Sequence, residues 1–354
     1  MKILLVGEFS GLHQNLKYGL QELGCDVTVA AYMDGFKKIP ADINLDSNRK
    51  GLFRLIEKFC KPIINLRKLG GYDVVQFISA NYFWDRFKYN EFIYKKLIRN
   101  NAKSFFLAAG CDSFFWKYGP ERLKYSPFEE TLKYDYKSEK SFHQKQSRLK
   151  WNEWIANRVD GIIPIMYEYQ QAYSHVENIR QCIPLPINAD KIPYTDNIPS
   201  GKIKIFHGLN RYGFKGTRYV EEAFDILKKK YPNDLELVIR GNMPLHEYLN
   251  VMSDSNVVID QVLSHSCGMN GLFALAMGKV VLGGAEPESF VALDVKPSPV
   301  INLKPDTKHI VSTIENLLER RSEIQDLGRK SRLYVEDIHN HIKIADKYIK
   351  TWNE

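Results

Sequence analysis

Residues Asp260–Gly284 read DQVLSHSCGMNGLFALAMGKVVLGG. The run divides into a buried strand end, a polar loop at Leu263–Asn270, a small-residue helix over Gly271–Met277 and a second strand at Val280–Leu282. Ala and Leu favour the helix, and Gly278 ends it. A strand–loop–helix–strand unit points the unpaired N–H groups of a helix N-terminus at whatever lies beyond the sheet edge. Many such units are only scaffolding, so the remainder of the chain decides the function.

With 354 residues the chain exceeds one ordinary core, and two domains are expected. No apolar run reaches the roughly 20 residues a membrane span needs. Lys2–Val6 is followed at once by Gly7-Glu8, the pattern of a first β-strand and not of a signal peptide. Five scattered cysteines without a C-x-x-C pair argue for a reducing, cytoplasmic setting and against a disulfide framework or a structural zinc site. Residues 1–183 hold 28 Lys and Arg against 20 Asp and Glu, whereas residues 184–354 hold 22 of each. The whole net charge of +8 therefore lies in the first half, which suits an anionic membrane surface or an anionic acceptor.

The chain opens as a βαβ unit: strand Lys2–Val6, a helix spaced by Leu12, Leu16, Leu20 and Leu23, a cap at Gly24, and strand Val27–Ala31. Its first loop carries only Gly7 and Gly11, short of the G-x-G-x-x-G dinucleotide fingerprint. Asn48–Leu69 is basic and amphipathic; Leu52, Leu55, Ile56, Phe59 and Ile63 share a face. Such a helix either packs that face into the core or lays it on an anionic membrane. Strands follow at Tyr72–Ile78 and Lys103–Ala108, with an aromatic, basic helical segment over Tyr82–Arg99 between them. Phe114–Ser147 lacks clear periodicity and mixes aromatics with Lys and Glu, an insertion expected to be mobile near a cleft. Without a recognisable nucleic-acid module, this mixture does not point to DNA or RNA. A helix is expected at Lys150–Val159 and a strand at Gly161–Met166.

Prolines 184, 186, 193 and 199 mark a linker over residues 184–201. A second α/β alternation follows over 202–336, and residues 337–354 form a last helix. The first domain is thus 1–183, and the fold is two Rossmann-type α/β domains facing across a cleft lined by their sheets' C-terminal edges. That arrangement suits a reaction with one substrate on each domain.

The second domain opens with HGLNRYGFKGTRYV, residues 207–220. Arg211 and Lys215 lie four apart, Gly216 allows a tight backbone, and Thr217 is the expected N-cap of the next helix. Two cations beside a helix N-terminus form a cradle for a diphosphate, combining charge with donor groups.

At this point the run from His207 to Gly284 resembles the C-terminal, donor-binding domain of GT-B-fold glycosyltransferases, notably glycosyltransferase family 4 (group 1). Arg211 and Lys215-Gly216 match the family's diphosphate-holding Arg and Lys-Gly, and FALAMGKVVLGG at Phe273–Gly284 looks like its Glu-Ala-Met-Ala-x-Gly-x-Pro-Val-Val segment. The resemblance implies transfer of a sugar from a nucleotide-sugar to an acceptor hydroxyl, with retention at the anomeric carbon, by a hexosyltransferase type of enzyme. It also implies a last helix that returns to the first domain. The chain departs from the family where it carries two glutamates eight positions apart: His265 and Phe273 stand there. Phe273 cannot accept a hydrogen bond from a ribose hydroxyl, so the donor must be read in another way. Asp260, His265, Gly268, Met269, Asn270 and Glu286 are the expected donor-binding residues beside Arg211, Lys215 and Gly216, with Glu288 a further substitute carboxylate.

Arg211 and Lys215 would neutralise charge on the leaving diphosphate. No metal and no cofactor are expected: the two cations take that role, and the His265-x-Cys267 spacing is not that of a zinc site. On the first domain His13 and Asp112 are the candidates to orient or deprotonate the acceptor. The expected partners are a nucleotide-sugar, a glycan or lipid-linked acceptor, and an anionic membrane surface met by the basic first domain, as in surface-polysaccharide or glycolipid assembly at the inner face of the plasma membrane. Two other readings share the architecture: a nucleotide-sugar epimerase, and a non-catalytic relative that binds a sugar or a protein.

Overall fold

The computed structural model describes residues 1–34, 37–84 and 86–354; Asp85, within the helical segment expected over 82–99, lies outside them. The chain divides into two compact units and passes between them four times. Unit 1 comprises Met1–Tyr118, His143–Pro186 and His341–Glu354; unit 2 comprises Gly119–Phe142 and Ile187–Asn340.

Unit 1 is built on six parallel strands: β1 (Lys2–Val6), β2 (Asp26–Ala31), β3 (Ile43–Asn44), β4 (Val74–Phe77), β5 (Lys103–Ala108) and β6 (Gly161–Pro164), in the order β3-β2-β1-β4-β5-β6. Continuous apolar runs are what a sheet covered on both faces requires. Ile3, Leu4, Leu5 and Val6 are all fully buried, as are Phe106, Leu107, Ile162 and Ile163. From β1 the chain steps outward to β2 and β3, then returns to β4 on the other side and continues to β6. The loops after β1 and β4 therefore part company, and the crevice they leave is where such sheets bind ligands.

Helix His341–Asn353 completes this unit, packing along helix Leu12–Glu22. It inserts Trp352 and Tyr348, both fully buried, and the Lys103 ammonium donates to the Trp352 carbonyl at 2.7 Å.

Unit 2 has five parallel strands: β7 (Ile203–Leu209), β8 (Leu235–Gly241), β9 (Val257–Ile259), β10 (Val280–Gly283) and β11 (Ile301–Asn302), in the order β11-β10-β9-β7-β8. Its direction reverses between β7 and β9, since β7 pairs on one side with β8 and on the other with β9, which leads to β10 and β11. Helix Thr217–Lys230 buries Val220, Ala223, Phe224 and Leu227 on the sheet. The central helix starts two residues before the expected point, at Met269, and runs to Ala276.

Two segments depart from their expected roles. The proline-rich run packs onto unit 2 from Ile187 onward: Ile187 is fully buried, and the Asn197 and Asn256 amides exchange hydrogen bonds, Asn197 donating to the Asn256 carbonyl at 2.8 Å and Asn256 to Asn197 Oδ1 at 2.9 Å. Proline supplies a stiff extended backbone that can be docked as well as left loose. Gly119–Phe142, within the expected insertion, also belongs to unit 2. Asp135 accepts from the Gly213 and Phe214 amides at 3.0 and 2.9 Å, and Glu130 pairs with Arg218 at 3.0 Å.

Candidate functional site

In unit 2 the loops after β7 and β9 flank the point where the strand order reverses. The loop after β7 makes one helical turn at Tyr212–Lys215 and then turns left-handed at Gly216 (φ 70°). A side chain there would be strained and would press on Leu263 at 3.1 Å. This turn carries Lys215 into the interior, where its ammonium lies 3.6 Å from Asp260 Oδ1; both residues are almost fully buried. Asp260 follows β9 directly, and its other oxygen accepts from the Gly268 amide at 3.2 Å. One carboxylate thus ties the cation of the first loop to the start of the central helix.

His207, the last buried residue but one on β7, supports this turn. Its Nδ1 donates to the Ile259 carbonyl and its Nε2 accepts from the Thr217 hydroxyl, each at 3.0 Å. Burial, reinforced by the Lys215 charge, pushes its pKa down to about 3, so the ring stays neutral. The expected capping role of Thr217 is corrected here. Thr217 is the first helical residue, Gly216 holds the cap position, and the threonine hydroxyl is committed to His207. Arg211 is exposed, with its guanidinium 3.5 Å from the centre of the Phe214 ring, a stacking that fixes the cation's direction.

The loop over 263–270 folds against the segment from the other half of the sequence. His265 is buried and stacks on Tyr125, with ring centres 4.3 Å apart and planes 14° from parallel. Tyr125 donates to Glu286 Oε1 at 3.0 Å, and Asn302 donates to the same oxygen at 2.8 Å. The Glu286 amide returns a bond to the His265 carbonyl at 2.9 Å. Lys124 lies 3.8 Å from Glu286 Oε2 and pairs more closely with Glu288, whose carboxyl it holds below the usual range. His265 and Glu286, 21 positions apart in sequence, are therefore parts of one polar cluster. Gly268 caps the central helix in an extended conformation; Met269 is buried and Asn270 half-buried in its first turn.

Tyr125, Lys124 and Asn302 were not foreseen. Nothing local marks them, because Tyr125 meets Glu286 across 161 positions of sequence.

The two acceptor-side candidates in unit 1 are corrected. His13 is fully buried: Nδ1 donates to the Gly7 carbonyl at 2.7 Å, and Nε2 accepts from the Gln76 amide at 3.2 Å. Gln76 in turn accepts from the Trp352 indole at 3.2 Å. Both ring nitrogens are thus engaged in holding β4 and the last helix, and burial pushes the pKa down to about 4. Asp112 is equally enclosed. It accepts from the Phe115 amide at 2.9 Å at the start of helix Ser113–Arg122 and from the Tyr173 hydroxyl. Both of its oxygens are thus engaged, one in capping that helix and one in holding Tyr173.

No family model matches the chain, and no curated protein does. Solved structures do. Sucrose-phosphate synthase from Thermosynechococcus elongatus superposes with a TM-score of 0.63 at 15% identity, covering 100% of this chain and 98% of that one. Anabaena HepE in complex with UDP-glucose gives 0.63 at 12% identity, covering 100% and 99%. UDP-GlcNAc 2-epimerase from Neisseria meningitidis bound to UDP-GlcNAc gives 0.53 at 12% identity, covering 99% of each. The chain has the GT-B fold over its whole length.

Proposed function

We propose that the protein is a glycosyltransferase that moves a sugar from a nucleoside-diphosphate sugar to an acceptor hydroxyl. The observation that carries this reading is the Lys215–Asp260 pair at the strand-order reversal of unit 2, with Arg211 on the same loop, in a fold shared with HepE, whose structure holds UDP-glucose. Lys215 and Arg211 stabilise the charge that builds on the diphosphate as it leaves. In this scheme the two cations carry that charge without a metal or a cofactor. Gly216 lets the backbone approach the phosphates, and the start of the helix at Thr217 adds N–H groups.

The donor unit tests first. Arg211→Ala and Lys215→Ala each lower transfer more than tenfold and weaken UDP binding in calorimetry. Arg211 is exposed, so its variant separates loss of binding from loss of fold. Unchanged UDP affinity in both variants overturns the assignment.

The acceptor is inferred to be carried on a lipid, in surface-polysaccharide or glycolipid assembly at the cytoplasmic face of a membrane. Helix Gly51–Ile64 supports this. Of its residues only Pro62 is buried, while Leu52, Leu55 and Ile64 are 70%, 55% and 74% exposed. Arg49, Lys50 and Arg54 lie exposed beside them. Among the described residues no helix is long and apolar enough to cross a membrane. The likeness to the Neisseria epimerase sustains a second reading, in which a nucleotide-sugar isomer is released without any acceptor. A non-catalytic sugar- or protein-binding relative would give neither product.

A further inference from the structure

Unit 1 contains a cavity of about 380 Å³ at the C-terminal edge of its sheet. Its walls come from the loops after β1 (Glu8, Phe9), β2 (Tyr32) and β4 (Asn81, Tyr82) and from Phe59 of helix Gly51–Ile64. Those after β1 and β4 flank the strand-order reversal of this sheet. We propose that this cavity receives the acceptor as a sugar ring and that Glu8 takes the proton from its attacking hydroxyl. The proposal rests on the glycosyl-transfer reading and assigns the proton transfer to Glu8 in place of His13 and Asp112.

The lining decides the chemical class of the occupant. Aromatic rings crowd the site: Tyr32 and Tyr82 lie 5.3 Å apart, and Phe59 and Trp84 5.5 Å apart. Faces of this kind suit either an acyl chain or the C–H faces of a sugar. Polar groups set among them separate the two. Glu8 is 1% exposed; its Oε2 accepts from the Gln14 amide at 2.8 Å, but its Oε1 has no hydrogen bond. The Asn81 side chain likewise has neither its oxygen nor its nitrogen engaged. An acyl chain would leave these groups unsatisfied, at a cost of about 1–3 kcal/mol for each. Sugar hydroxyls supply the missing donors and acceptors.

Glu8 also suits proton abstraction. Burial pushes its carboxyl up to about 7, and Asp34 adds to that, against the pull of the Gln14, Gly11 and His13 amides. The other groups around it are the Tyr82 hydroxyl, itself held well above its usual range, neutral His13, and Lys37, which pairs with Asp34 at 3.1 Å. A base with a pKa near the working pH combines availability with strength. In the step itself, the acceptor oxygen bonds to the anomeric carbon and its proton passes to Glu8 Oε1. The bond from that carbon to the diphosphate oxygen breaks, and the electron pair leaves with the nucleoside diphosphate.

The test uses the full chain and soluble probes: octyl glycosides of glucose, galactose and N-acetylglucosamine against octanol, with binding read by saturation-transfer NMR. At least one glycoside binds and octanol does not. Trp84→Ala, at an exposed part of the wall, weakens that binding several-fold. With the bound glycoside as acceptor, wild-type kcat/KM falls as the pH drops below about 7. Glu8→Gln lowers kcat about 100-fold, leaves KM within about threefold and abolishes that acidic limb, while Glu8→Asp restores part of the rate. Binding of octanol in preference to every glycoside, failure of all glycosides to bind, or full turnover in Glu8→Gln overturns the proposal. UDP affinity is unchanged in all three variants; its absence from the wild type would overturn the donor assignment instead.

Discussion

Three buried titratable residues couple the fold to pH in opposite directions. His13 and His207 are held neutral by burial, with pKa values pushed down to about 4 and about 3. An unfolded chain takes up a proton on each near pH 6.5, so it binds more protons than the fold, and stability is lost as the pH falls from about 6.5 towards 4. Glu8 acts with the opposite sign. Its folded pKa is raised to about 7, so the fold holds a proton that the unfolded chain releases above about 4.5. That contribution is complete below about pH 4.5 and is lost as the pH rises through 7, amounting to about 3 kcal/mol. Glu8→Gln removes only this term. Relative to wild type, the variant therefore gains stability as the pH rises from about 4.5 to about 7 and levels off above that, as urea unfolding at pH 5 and pH 8 will measure; a difference independent of pH would refute the assignment. Sequence patterns picked out Lys215, beside Gly216, and Asp260, just before the polar loop, and the fold brings the two together. The same patterns misjudged His13 and Asp112, since residue type and loop position do not reveal that every polar atom is already engaged.

At the scale of elements, helix Gly51–Ile64 was visible as a basic amphipathic stripe, but its partner was not. Periodicity defines a face and says nothing about what covers it. In the fold Phe59 of that face turns to Trp84, while Leu52, Leu55 and Ile56 are left outward, next to Arg49, Lys50 and Arg54 and with Ile64 exposed beside them. Burial of such side chains in a headgroup layer and attraction of about 1 kcal/mol per basic residue near an anionic surface act together. The protein should co-sediment with phosphatidylserine-containing vesicles at low salt and much less at high salt. Leu52→Glu with Ile64→Glu should release it from vesicles without lowering its melting temperature, because neither side chain is part of the core. Retention of the double variant on vesicles would exclude this helix as the docking element. Most strands were legible for the opposite reason: continuous apolar runs such as Lys2–Val6 have few places to go but the centre of a parallel sheet.

For the molecule as a whole, the two α/β alternations announced two units, but not which stretches of chain each would collect. Gly119–Phe142 docks on unit 2 through Asp135 and Tyr125, contacts that span 78 to 161 positions and leave no local trace. The last helix joins unit 1 through a close approach to helix Leu12–Glu22, and Gly19 makes that approach possible. A Cβ on Gly19 would stand 2.0 Å from the His341 carbonyl oxygen and 2.9 Å from the Ala345 Cβ. In an exposed helix, alanine would be favoured over glycine by about 1 kcal/mol. Here the clash is with backbone, which no rotamer change relieves, and overpacking of about 1–3 kcal/mol outweighs the propensity gain. Gly328 is the counterpart in unit 2, where a Cβ would stand 2.2 Å from the Gly278 carbonyl oxygen. Native-state hydrogen exchange on Gly19→Ala should therefore show lost protection in β1, β2, β4 and β5 with β7–β10 unchanged, and Gly328→Ala should show the reverse. Equal loss across both sheets in either variant would mean that the two units unfold as one cooperative block.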